Sequence, residues 1–261
     1  MRYLRLLAFQ LRLSLSLSLQ YRWNFLVDGF VSVLWTTLGI VPLYIALHDR
    51  PPVAGWTFDR ALVVVGYFTL LRGVLDGAIN PSLSVVVDQI RQGTLDFVLL
   101  KPADAQFLVS TSRFELWKGI DVLAALGILG WAFRQLGRAP TLGAAALSVG
   151  LLICSLTVLY SLWILVIAAA FWVVRLDNLA FFFSSVLDFA RWPVGLFKGV
   201  WRLVFTFVLP LALMTTYPAE ALLGSIELRT VAASVLGSLA FAAVARRVWT
   251  RAIGRYTSAS S

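Results

Sequence analysis

The thirty-two residues from Leu142 to Val173 carry no charged side chain. An α-helix rises about 1.5 Å per residue, so about 20 apolar residues cross the ~30 Å hydrocarbon core of a bilayer. A run of this length and greasiness fits a membrane interior and little else. Five further runs accompany it, and the spans read as residues 25–47, 61–83, 107–133, 142–173, 179–196 and 230–248. Hydrophobic residues make up 60% of the chain and charged ones 13%, against about a quarter charged in soluble domains. The runs are continuous rather than alternating, and backbone groups in lipid must be satisfied internally. The expected fold is therefore all-α, a polytopic protein with six transmembrane helices.

Ahead of the first span, Arg2, Arg5, Arg12, Ser16 and Gln20 share one helical sector, with Leu4, Leu7, Leu11 and Leu15 largely opposite. This predicts an amphipathic helix within residues 1–24, lying in the membrane interface. The alternating Leu13-Ser-Leu-Ser-Leu-Ser-Leu19 is the competing strand signal, disfavoured because an open strand edge at a membrane is costly. Charge sets the orientation. With the amino terminus inside, Lys/Arg at 2, 5, 12, 22, 91, 101, 113, 118, 175, 246, 247, 251 and 255 are cytoplasmic, thirteen in all. Seven are outside, at 50, 60, 134, 138, 198, 202 and 229. The cluster from Arg246 to Arg255 places the carboxyl terminus inside as well, so the number of crossings is even. The apolar stretch 197–224, with Pro193 before it and Pro210 and Pro218 inside it, then reads as an outward-side re-entrant element that gates a pathway; a long kinked helix is the other reading. The net charge of +9 belongs to helix ends facing anionic headgroups, so no nucleic-acid partner is expected.

No phosphate-binding glycine loop is present, so the chain does not bind a nucleotide by itself. With one histidine, His48, and one cysteine, Cys154, neither a disulfide nor a Cys/His metal site can be built within one copy. Catalytic, cofactor and metal residues are accordingly expected to be none, and His48 reads as a solvated loop residue. The informative polar residues lie inside spans. Arg72, Asp76 and Asn80 are four apart on one face, flanked by Gly73 and Gly77; Asp121 lies one turn from Lys118; Asp188 and Arg191 are three apart. A lone charge at a helix centre costs about 2.5–3.5 kcal/mol, which a partner at helical spacing reduces. Arg72 and Asp76 read equally as pathway lining or as packing, and Asp188 with Arg191 rather as a packing pair. Asp76 or Asp121 would serve a proton-coupled carrier, the alternative function.

Between the second and third spans, residues 84–103 form a charged, glycine-containing interruption. Val85, Val86, Val87 and Ile90 interleave with Asp88, Gln89 and Arg91; Gly93 can end a helix in the left-handed region, and Asp96 and Pro102 bracket a short apolar element. The sequence Arg91-Gln-Gly-Thr-Leu-Asp96, followed by Leu99-Leu-Lys-Pro102, resembles the ABC-2-type permeases, the membrane subunits of ATP-binding-cassette exporters. Phe171-Trp-Val-Val-Arg175, Arg191-Trp-Pro193, Phe207-Val-Leu-Pro210, Pro218-Ala219 and Leu222-Leu-Gly224 extend the likeness in order along most of the chain. Gln92 stands where that family usually has an acid. The resemblance implies an elbow helix, a cytoplasmic coupling helix, outward-side re-entrant helices between spans five and six, and a bacterial cytoplasmic membrane location. It also implies a separate cytoplasmic ATPase, commonly two copies, which holds ATP and magnesium, and a second permease, identical or paralogous. Asp88, Gln89, Arg91, Gly93, Thr94 and Asp96 are then the residues expected at the ATPase contact.

Overall fold

The computed structural model describes residues 2–20, 22–171, 181 and 184–254. Among them the fold is helical, apart from one isolated bridge between Val53 and Trp56. Helix α1 spans Arg2–Gln20, α2 Arg22–Leu47 and α3 Phe58–Val74. A π-helical turn, Leu75–Ile79, joins α3 to α4 (Asn80–Gln92) without a break. Then come α5 (Asp96–Leu99), α6 (Ala105–Ser110), a 3₁₀ turn at Leu116–Lys118 running into α7 (Gly119–Gln135), and α8 (Leu142–Ala168). After 3₁₀ turns at Asp188–Arg191 and Val194–Leu196, α9 (Val200–Leu203) and α10 (Tyr217–Leu222) flank two π-helical turns, and α11 runs Leu228–Gly254.

Five of these stretches are long and apolar enough to cross a membrane, and a sixth is added if the bent pair Val200–Val208 and Ala212–Leu222 counts as one. Three boundaries differ from those expected of the sequence. The second span and the helix after it are one piece, Phe58–Gln92; Pro81 within it has no N–H for the Gly77 carbonyl, which accepts Glu115 N instead. The third span starts at Leu116 rather than Phe107, since Thr111–Glu115 turns away and gives its amides to other segments: Arg113 N donates to Ser82 Oγ (3.0 Å) and Glu115 N to the Gly77 carbonyl (2.8 Å). Of the expected fifth span, 179–196, residues 179, 180, 182 and 183 lie outside the described residues; residues 184–187 are helical, and the backbone at Asp188–Arg191 and Val194–Leu196 is 3₁₀ rather than α.

Two apolar clusters form the core. One packs Leu83, Val86, Trp163 and Trp249 from α4, α8 and α11; the other packs Leu43, Trp56, Ala61–Val65 and Leu223 around the start of α3. The bent pair turns by 69° at Leu209–Leu211, where Pro210 has no N–H to offer the ladder. Pro218 does not break the element: it sits in the first turn of α10, and its carbonyl accepts from Ser148 Oγ at 2.8 Å. Other backbone groups around the bend also find side-chain partners. Ser155 Oγ donates to the Leu213 carbonyl (2.9 Å), Thr215 Oγ1 to the Ala190 carbonyl (2.7 Å), and Thr216 Oγ1 accepts from Val194 N (3.1 Å). Irregular backbone at membrane depth requires such internal partners.

Candidate functional site

Helices α2 and α3, the start of α7 and the Asp188–Arg191 turn surround a cavity of about 480 Å³. Seven ionisable side chains line it: Asp28, Arg72, Asp76, Lys118, Asp121, Asp188 and Arg191. Six of them form a chain of alternating sign. Arg191 Nη2 lies 3.1 Å from Asp188 Oδ1, and Arg72 Nη1 is 2.9 Å from that same oxygen. Arg72 Nε is 2.9 Å from Asp76 Oδ2; Lys118 Nζ lies 3.8 Å from that oxygen and 3.3 Å from Asp121 Oδ2. Ser32 Oγ donates to Asp121 Oδ1. Asp121 is almost fully buried, and a buried acid of this kind persists only when paired and hydrogen-bonded.

Local sequence explains how these groups meet. The π-helical turn holds Asp76 and leaves the Gly77 carbonyl free to receive Glu115 N, which docks the start of α7 on the bulge. Small residues let α7 approach: a Cβ at Gly73 would stand 2.9 Å from Asp121 Cβ, and one at Gly77 3.0 Å from Lys118 Cβ. On the other wall a Cβ at Gly39 would stand 3.0 Å from Arg191 Nη1. Two cations also lie over rings, Arg191 5.2 Å from the centroid of Phe68 and Lys118 4.2 Å from that of Trp117.

Of the span residues singled out in the sequence, Arg72, Asp76, Asp121, Asp188 and Arg191 come together in this wall. Asn80 does not; its Oδ1 accepts from Ser84 Oγ at 3.2 Å. The bulge is the reason, since a turn closed from i to i+5 carries an extra residue and rotates the next turns off the Arg72–Asp76 face. Asp188 and Arg191 pack as a pair and also line the cavity. Sequence reasoning missed Asp28, Ser32, Thr36 and Gly39. Their spacing of four, four and three puts one polar stripe along α2, a signal the sequence did carry.

The module expected on the cytoplasmic side lies at the far end of the α3–α4 rod. Gly93, at φ 68° and ψ 17°, ends α4 in the left-handed region, and Thr94 N closes the turn on the Gln89 carbonyl at 2.9 Å. Asp88 and Arg91 are exposed on the last turns of α4, and Asp96 opens α5. Phe97 and Leu100, 70% and 80% exposed, form an apolar tip. Beneath it α6 ties several elements together. Arg246 Nη2 of α11 lies 2.6 Å from Asp104 Oδ2, Gln106 Nε2 donates to Tyr160 Oη of α8 (3.0 Å), and Tyr3 of α1 meets Phe107 edge-on at 4.8 Å. That hydrogen bond to Arg246 holds the Asp104 carboxyl below its ordinary range, against a smaller upward push from burial.

A bundle of long apolar helices around paired charges defines a multi-pass membrane protein. The family described as ABC-2 family transporter protein matches residues 33–260, so nearly the whole chain belongs to it. No curated protein and no solved structure matches the chain.

Proposed function

We propose that this chain is the permease subunit of an ATP-binding-cassette exporter and that a separate cytoplasmic ATPase drives it through the module around Gly93. The observation that supports this best is the unbroken helix Phe58–Gln92. Its 35 residues correspond to about 52 Å of helix, some 20 Å more than the hydrocarbon core needs. One rod thus carries Arg72 and Asp76 in the cavity wall and Asp88, Gln89 and Arg91 at its protruding end. A push on Gly93, Thr94 and Asp96 moves the cavity wall with it, as a near-rigid body.

In this reading two permeases, identical or paralogous, enclose a pathway between their cavities, with two ATPases beneath holding ATP and magnesium. Helix α1 is the elbow: Leu4, Leu11 and Leu15 are exposed where the inner leaflet would cover them. The bent pair is the outward re-entrant gate between the last two spans, with Pro193 and Pro210 at its turns and Pro218 starting its second limb. Both termini are cytoplasmic in a bacterial inner membrane. Ion pairing weighs against a proton carrier, since Asp76 and Asp121 each hold a cation. The double variant Arg91→Ala, Asp96→Ala is expected to co-purify poorly with the ATPase and to abolish stimulated hydrolysis. Normal assembly and coupled turnover in that variant would refute the contact assignment.

A further inference from the structure

From the charge balance of the cavity we infer that its ligand is an amphipathic organic cation, seated with its ammonium group near Asp28 and its apolar body toward Trp35. This rests on the permease reading and adds to it the chemical class of what is carried. The lining holds four carboxylates, Asp28, Asp76, Asp121 and Asp188, against three cations, Arg72, Lys118 and Arg191. Every cation is committed: Arg72 to Asp76 and Asp188, Arg191 to Asp188, Lys118 to Asp121 and Asp76. The negative charge left over belongs to Asp28, the one lining carboxylate outside the ion-pair chain among the described residues.

Asp28 is exposed on the lining, and its surplus charge favours a guest of opposite sign. A monocation brings the cavity to neutrality; an anion doubles the imbalance and must also compete with carboxylates for arginines already bonded. The apolar half is set by α2. Trp35 is seven residues from Asp28, two turns on along the same face and about 10 Å away. Trp35 is exposed and lines the cavity with Leu38, Pro42 and Phe68. At about 480 Å³ the space falls within the range of roughly 300–1,000 Å³ that holds drug-sized ligands.

Tetraphenylphosphonium and tetraphenylborate, matched in shape and opposite in sign, test this on the full chain in lipid nanodiscs, with empty discs subtracted. The phosphonium is expected to bind at least tenfold more tightly than the borate. Asp28→Asn removes that preference, Asp28→Glu keeps it, and Trp35→Ala weakens both probes without changing the preference. Equal binding of the two probes overturns the inference. So does stronger binding of the borate, an Asp28→Asn protein of wild-type stability that still prefers the cation, or an Asp28→Asn protein whose only change is its oligomeric state, which would mark Asp28 as a contact for a second copy. Co-purification of the same variants with the ATPase separates the two levels: cation selectivity without any ATPase partner sinks the permease reading alone, and assembly without cation selectivity sinks this inference alone.

Discussion

At Gly73 an added methyl group would lie 2.9 Å from Asp121 Cβ, an atom fixed by the backbone of α7. At Gly29 the obstacle is Ile120 Cδ1, the end of a side chain that can turn aside. Gly73→Ala is therefore expected to lower thermal stability in detergent by about 1–3 kcal/mol, an overpacking cost, and Gly29→Ala by clearly less. Unfolding curves followed by tryptophan fluorescence would compare them, and equal losses would sink the distinction. The pairing of Arg72 with Asp76, and of Lys118 with Asp121, was legible in the sequence because helical spacing alone brings such residues together. That Asp188 joins Arg72 was not, since nothing local links positions 116 residues apart. Asp28 escaped notice for a simpler reason: one acid near a span end resembles an interfacial charge until its stripe with Ser32, Thr36 and Gly39 is traced.

At the scale of elements, α6 is six residues long yet gathers α1, α8 and α11. Asp104 does two jobs there, accepting Phe107 N at 3.0 Å as the N-cap and holding Arg246. Its carboxyl titrates below the ordinary aspartate range, so its contribution is complete above that range, about pH 3.9, and is lost as pH falls through the lower, folded-state value. Both side chains are partly exposed, so the pair contributes only about 0.2–1 kcal/mol. Acid should thus loosen this link locally before it unfolds the protein. Limited proteolysis across residues 103–111 is expected to speed up on acidification in the wild type and to be fast at every pH in Asp104→Ala; a pH-independent wild-type rate would contradict this. The Gly93 turn was readable because few residues tolerate positive φ. The break before α7 was not, because hydropathy barely registers a turn whose amides are taken up by Ser82 and Gly77.

For the whole molecule, apolar length gave the helical class and most of the spans, while proline placement misled in part. Pro218 looked like a break and sits in the first turn of α10; Pro210 looked the same and bends the pair by 69°. The difference lies in whether the missing N–H falls at a helix start. The π-helical turn at Leu75–Ile79 has a further consequence, for how this chain lines up with its relatives. It takes up one residue beyond the regular count, so the cavity wall and the tip at Gly93 are out of phase by one position. A relative without the bulge would match both halves only after a single-residue gap between them. Removing Ala78 should accordingly be absorbed, leaving a regular rod with α3 and α4 where they are, at the cost of the Gly77–Glu115 link. Removing Val64 from the regular part of α3 turns everything upstream or downstream by about 100° and should prevent folding. Monodisperse elution of the first deletion and aggregation of the second would establish the bulge as the one place along this rod where the chain can change its length by a residue.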